Sequence, residues 1–267
     1  MSIYFGDHTW PELEQIIKMD PVVLLPVGMF EEHGRHMAVS TDTDIVQYMC
    51  DEVARRVQHD IPVLVLPAVW TGFHGNSVNK FPGGVRMKQE TLIQVIFDII
   101  KSLADMGIRK IVVANGHGQN PASLEVAVRK AIDECRVVPV LCMPGNMGSK
   151  TPQPGRTSPQ GAMGGHACEW ETSLLMAINP DHVHMEYAED DSQQYHSQFI
   201  GGDMYPAQKM AAGRIYWSTF NIQQTHHGAQ GNPQHASMET GEYFRDNALD
   251  TFEALVREYY AFNDYVF

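Results

Sequence analysis

The chain has 267 residues, 43% of them hydrophobic, enough to build one sizeable α/β core, so a single domain over 1–267 is the expectation. A formal charge of -13 argues against nucleic-acid or anionic-membrane partners, which need a basic patch, and leaves a small molecule or a protein. Four cysteines (Cys50, Cys135, Cys142, Cys168) without CxxC spacing argue for reduced thiols rather than a disulfide framework or a cysteine zinc site.

The opening "MSIYFGDHTWPELEQ" lacks a basic, apolar leader, and no run approaches the roughly 20 apolar residues that span a bilayer, so a cytoplasmic protein is expected. Thr9 ahead of Trp10, Pro11 and an acidic turn predicts a first short helix. The runs "PVVLLPVG" (21–28), "PVLVLPAVW" (62–70), "RKIVVANGHG" (109–118) and "VVPVLCMPG" (137–145) are short, with apolar cores punctuated by Gly or Pro. That is the pattern of parallel strands buried on both faces. Segments with helical periodicity separate them: Ile45 to Val57, Leu92 to Leu103 and Leu124 to Ile132. Strand and helix alternate, predicting a doubly wound, layered α/β fold. The Gly- and Pro-rich stretch around 144–165 reads as a functional loop. "HACEWETSLLMAINP" reads as a helix stopped by Asn179 and Pro180, 182–225 shows only weak periodicity, and a closing helix is expected over about 237–260.

Ligand-grade side chains crowd the carboxyl ends of these strands, where open α/β sheets bind ligands. Glu31 and His33 are two apart and, in an extended segment, project to one side. Asp42 stands at the start of the next helix, where an N-cap is the plainer role. His117 lies between Gly116 and Gly118 just past a strand, and those glycines allow close backbone approach. In "GGHACEWET", His166 and Glu169 are three apart and would share a helix face, whereas Glu171 would point ~200° from Glu169, which favours a capping or packing role for Glu171. Glu31, His33, Asp42, His117 and Glu169 thus offer two imidazoles and three carboxylates, a set suited to two divalent ions sharing one carboxylate. Mixed nitrogen and oxygen donors favour Zn or Mn. Such ions acidify a bound water and polarise a carbonyl, and His166 is the expected proton shuttle to the leaving group.

The same segments, "LLPVGMFEEHG" with "TD" following, "NGHGQN", "GGHACEWETSL" and "GAQGNPQHASMETGE", resemble the creatininase family of creatinine amidohydrolases, in order from residue 8 to about 242. The resemblance implies a three-layer α/β/α sandwich with a mainly parallel central sheet, a homohexamer and a binuclear Zn or Mn site. It implies Glu31, Asp42 and His117 on one ion, with His33, Asp42 and a further carboxylate on the other. Creatininase carries that carboxylate two residues after the histidine of "NGH", where this chain has Gln119. Other members carry a glutamate three residues after the later histidine, where Glu169 stands.

Creatininase also has a tryptophan four residues before the catalytic histidine. Here that place is Ala162, which argues against creatinine as substrate. "HGNSVNKFPGGVRM" matches the family's "FPGT" loop with Gly84 in place of threonine. Asn79, Lys80 and Gln119 are the candidate substrate contacts. The implied reaction is hydrolysis of a cyclic or linear amide C–N bond in a small polar molecule. The alternative is C–C cleavage of a cyclic keto-polyol such as an oxidised inositol, which Asn76, Asn79, Lys80, His226 and His227 would suit. A formamide-bearing nucleotide lacks an arginine-rich cradle here, and a non-catalytic scaffold predicts a lost ligand position, yet all are filled.

Overall fold

The computed structural model describes residues 2–75, 80–148, 165–191, 200–202, 205–206 and 225–262. Helix α1 (Trp10–Ile17) opens the fold. Its start is fixed by Pro11 in the first turn and by Glu12, whose carboxylate accepts from the backbone N–H of Thr9 at 2.7 Å. Then β1 (Val22–Val27), α2 (Thr41–Val57), β2 (Val63–Val65), α3 (Gln89–Asp105), β3 (Lys110–Asn115), α4 (Pro121–Cys135) and β4 (Val140–Cys142) alternate. The four strands form one parallel sheet in the order β2-β1-β3-β4, with Val22 opposite Val63 and Lys110. Helix α5 (Glu169–Ile178), a small antiparallel pair β5 (Ile200–Gly202) and β6 (Tyr205–Pro206), and the long α6 (Met238–Ala261) complete the described elements.

The central strands are buried along their whole length, as their apolar cores demand, and in β3 the polar ends Lys110 and Asn115 are buried with them. Alternate residues face opposite layers. Val22, Leu24, Val112 and Ala114 pack with α2, α5 and α6 through Met49, Leu174 and Phe252. Val23, Leu25, Ile111 and Val113 pack with α1, α3 and α4 through Ile16, Ile96 and Leu124. Each fully buried leucine or isoleucine contributes about 1.5–3 kcal/mol, so both cores hold the sheet between helical layers. The expected three-layer α/β/α sandwich is what the chain builds.

Two strands are shorter than their apolar runs. Pro67 lacks the N–H a ladder needs, and β2 ends before it; β4 is confined between Pro139 and Pro144. No described helix is long and apolar enough to cross a membrane.

Candidate metal centre

Each strand end delivers one part of the site. Beyond β1 the chain folds into a tight hairpin, with Glu31 N–H donating to Val39 O (3.1 Å) and Met37 N–H to His33 O (3.3 Å) across a turn in which Gly34 has φ 63°. This extended arm puts Glu31 and His33 on one side. Asp42 lies in the first turn of α2, where the helix dipole favours a carboxylate. Beyond β3, the Asn115 side chain clamps the next turn by accepting from His117 N–H (3.1 Å) and donating to His117 O (2.7 Å). Gly116 is required there: a Cβ would stand 2.4 Å from the Asp42 carbonyl oxygen, so any side chain would force α2 and this turn apart.

These pieces converge. His117 Nδ1 is 3.1 Å from Glu31 Oε1 and 2.8 Å from Asp42 Oδ2, and His33 Nε2 is 3.3 Å from Asp42 Oδ1. Glu31, His33, Asp42 and His117 are all buried. Their ligand atoms form two trios able to hold an ion, Glu31–Asp42–His117 and His33–Asp42–Glu171; a third trio, Glu31–His33–His166, overlaps both.

The side chains fit divalent ions. The set mixes imidazole and carboxylate donors, the one expected for Zn or Mn. The Nδ1–H of His33 donates to Glu31 O (3.3 Å), which turns its Nε2 lone pair toward Asp42. His33 Nε2 and Glu31 Oε2 are buried without a hydrogen-bond partner among the described residues, an arrangement that is costly unless a cation satisfies it.

Charge in the cluster is tightly balanced. Burial disfavours a charged His117, but Glu31 and Asp42 outweigh it and raise its pKa to about 10. Burial also opposes ionisation of Asp42, and the facing His33 and His117 hold its carboxyl well below the ordinary range. Glu171, buried with weaker compensation, is pushed up.

His166 lies beside the cluster, with its ring centroid 4.6 Å from that of His33. Its Nε2 is 2.6 Å from the backbone oxygen of Glu32, so that nitrogen carries the hydrogen, and Nδ1 faces Glu31 Oε1 at 3.7 Å. Glu32, buried alongside, brings Oε1 within 3.2 Å of His166 Nε2.

Of the expected ligands, Glu169 is fully buried and belongs to none of the trios found among the described residues, whereas Glu171 stands with His33 and Asp42 in one of them. The helical-face argument required His166 and Glu169 on one helix. Instead α5 begins at Glu169, His166 pairs in a bridge with Gln230, and Ala167 turns the chain with φ 52°. Glu171 does make the capping contact expected of it, accepting from Cys168 N–H at 3.3 Å, while its carboxylate also reaches the cluster. Among the candidate substrate contacts, Gln119 Oε1 accepts from Gly75 N–H (2.7 Å) and Lys80 donates to Thr225 O (2.7 Å). His226 and His227 bind Asp191 through their backbone N–H groups. Asn76, Asn79 and Ala162 lie outside the described residues. Sequence reasoning passed over His74, which is considered below, and Glu32, whose only signal was its place between Glu31 and His33.

Comparison with known proteins gives the family of the chain and agrees with its fold. A profile of the creatininase family, described as creatinine amidohydrolase, matches residues 6–256. Creatinine amidohydrolase of Pseudomonas putida is 30% identical over 228 residues, 80% of this chain and 86% of that protein. The 3-dehydro-scyllo-inosose hydrolase of Thermotoga maritima is 26% identical over 267 aligned residues, 96% of this chain and 83% of that one. A crystal structure of creatinine amidohydrolase superposes with a TM-score of 0.81 at 26% identity, covering 98% of this chain and 99% of that chain. A mutant creatininase of Zn-Zn type (TM-score 0.80, 26% identity) and a creatininase with Mn (0.78, 25%) cover 98% of this chain and, respectively, 99% and 100% of theirs.

Proposed function

The chain belongs to the creatininase family of metal-dependent hydrolases, and from that premise we propose that it is a binuclear enzyme opening a C–N amide bond, cyclic or linear, in a small polar molecule. The observation that carries the reading is the split of one carboxylate between two histidines: Asp42 Oδ2 toward His117 and Oδ1 toward His33. In this reading Glu31, Asp42 and His117 hold one ion, and His33, Asp42 and Glu171 hold the other, with Zn or Mn as the metals. Ions bound there would acidify a water and polarise the substrate carbonyl.

The protein groups divide the remaining work. Asp42 joins the two halves, the hydrogen bond from His33 Nδ1–H to Glu31 O keeps the His33 Nε2 lone pair aimed inward, and the Asn115 clamp fixes the backbone that carries His117. His166 holds its Nε2 hydrogen on the Glu32 carbonyl, so Nδ1, facing the cluster, is the atom that takes a proton from the attacking water and delivers it to the leaving nitrogen. Burial of the acidic side chains keeps bulk water from screening these charges.

A second reading keeps the site and changes the bond: C–C cleavage of a cyclic keto-polyol. It is favoured by the inosose hydrolase relative, which aligns over nearly the whole chain. Both readings take residues 1–267 as one domain of a cytoplasmic protein, and the family resemblance implies a homohexamer, which light scattering of the purified protein tests. The reaction is tested by assaying lactams, formamides and cyclic keto-polyols with and without chelator. Chelator-sensitive turnover of an amide supports the first reading, turnover of a keto-polyol alone supports the second, and turnover that survives full metal removal contradicts both.

A further inference from the structure

We propose that His74 recognises substrate in this enzyme, as a neutral imidazole that presents its Nε2 lone pair to an N–H or O–H of the bound molecule. The proposal rests on the hydrolase reading above. His74 is only 2% exposed. Its Nδ1 lies 2.8 Å from the carbonyl oxygen of Gly75, and since a carbonyl only accepts, Nδ1 carries the hydrogen and Nε2 the lone pair. That Nε2 is buried and has no hydrogen-bond partner among the described residues. A buried acceptor left unpaired is unfavourable and calls for a partner beyond the described residues, a role a bound molecule can fill. Burial keeps the imidazole below its ordinary pKa, consistent with a neutral ring.

The ring is held rigidly, and held to the metal centre. Residues 71–75 are fastened on one side by Thr71 Oγ1 donating to Val85 O and by Met87 N–H donating to Gly72 O (2.7 Å). On the other side, Phe73 N–H donates to Asn120 Oδ1 (2.9 Å) and Gly75 N–H to Gln119 Oε1 (2.7 Å). Asn120 and Gln119 belong to the turn that carries His117, and the His74 ring feels the charges of both Glu31 and His117. Gln119, which stands where creatininase has a metal-binding glutamate, therefore fixes the His74 strap.

Gly84 completes the arrangement. A Cβ on residue 84 would stand 2.7 Å from His74 Nε2, so the glycine in place of the family's threonine keeps a side chain from packing onto this nitrogen. The two departures from the creatininase pattern, at 84 and 119, thus bear on one side chain. An acceptor of this kind selects substrates that carry a donor, because an analogue without one leaves Nε2 unpaired.

The test uses the zinc-loaded, full-length protein with 15N-labelled histidine, beside His74→Asn, His74→Gln and Gly84→Ala. Asparagine keeps the contact to Gly75 and removes the acceptor; glutamine restores an acceptor near Nε2; alanine at 84 turns the ring aside. Metal content is expected to match wild type in all three. The long-range 1H–15N spectrum is expected to show His74 with a protonated Nδ1 and a bare Nε2 whose resonance shifts on adding at least one compound from the lactam, formamide and keto-polyol panel. For a compound that is turned over, His74→Asn and Gly84→Ala should lose about ten- to a hundredfold in kcat/KM, mostly in KM, with His74→Gln within about threefold of wild type. A protonated Nε2, a loss of metal in the His74 variants, or no shift with any compound overturns the proposal. A shift without turnover defeats the hydrolase reading and leaves the assignment of His74 standing.

Discussion

Asp42 Oδ1 stands 3.3 Å from Nε2 of His33. The other oxygen of the same carboxylate is 2.8 Å from His117 Nδ1, so one side chain at the first turn of α2 connects the hairpin after β1 to the turn after β3. Removing its charge should therefore empty both halves of the centre. Asp42→Asn, nearly isosteric, is expected to retain the fold by circular dichroism and to bind less than a tenth of the wild-type metal in elemental analysis. Retention of one full equivalent would show that Asp42 serves a single ion.

His166 should be separable from metal binding. With its Nε2–H held by Glu32 O, its part is proton transfer at Nδ1. His166→Ala is expected to keep the wild-type metal content and lose about 10²–10⁴ in kcat. Loss of metal together with activity would make His166 a ligand, a role its place in the trio with Glu31 and His33 also permits.

Metal removal should make stability depend on alkaline pH. Burial works against the His117 imidazolium, but Glu31 and Asp42 outweigh it and raise its pKa to about 10. A raised histidine contributes stability that is fully present below its unfolded pKa, about 6.5, and lost as pH rises through the folded value. The Tm of chelator-treated protein should therefore fall as pH goes from about 6.5 to about 10. In zinc-loaded protein the ion replaces that proton, and the slope should flatten. Parallel slopes in the two forms would mean that His117 does not exchange its proton for metal.

Close approach at Gly116 gives a packing prediction. A Cβ there meets the Asp42 carbonyl oxygen at 2.4 Å, a backbone atom that cannot rotate aside. Gly116→Ala should cost about 1–3 kcal/mol in denaturant unfolding and weaken metal binding, because it pushes Asp42 away from His117. A variant with wild-type stability and metal affinity would contradict this account of the turn.

Much of this was legible in the sequence because the signals were local. The apolar cores of strands β1 and β3 could only be buried on both faces, and Glu31, His33, Asp42 and His117 follow strand ends or open a helix within a few residues of clear punctuation. The helical-face argument that paired Glu169 with His166 fails for a non-local cause. The bridge from His166 to Gln230 and the left-handed turn at Ala167 delay the helix by three residues, and no periodicity within "GGHACEWET" reports a contact with a segment about 64 residues away. His74 was illegible for the same reason: a lone histidine among glycines acquires meaning only when Val85, Met87, Gln119 and Asn120 close around it.

The central claim is that Glu171, and not Glu169, completes the second half of a binuclear centre. Elemental analysis of metal per chain, after gentle chelator-free purification, tests it on wild type, Glu171→Gln and Glu169→Gln side by side. The account predicts two ions in wild type, one in Glu171→Gln and two in Glu169→Gln. A single ion in wild type, or loss of an ion from Glu169→Gln while Glu171→Gln keeps both, would contradict it.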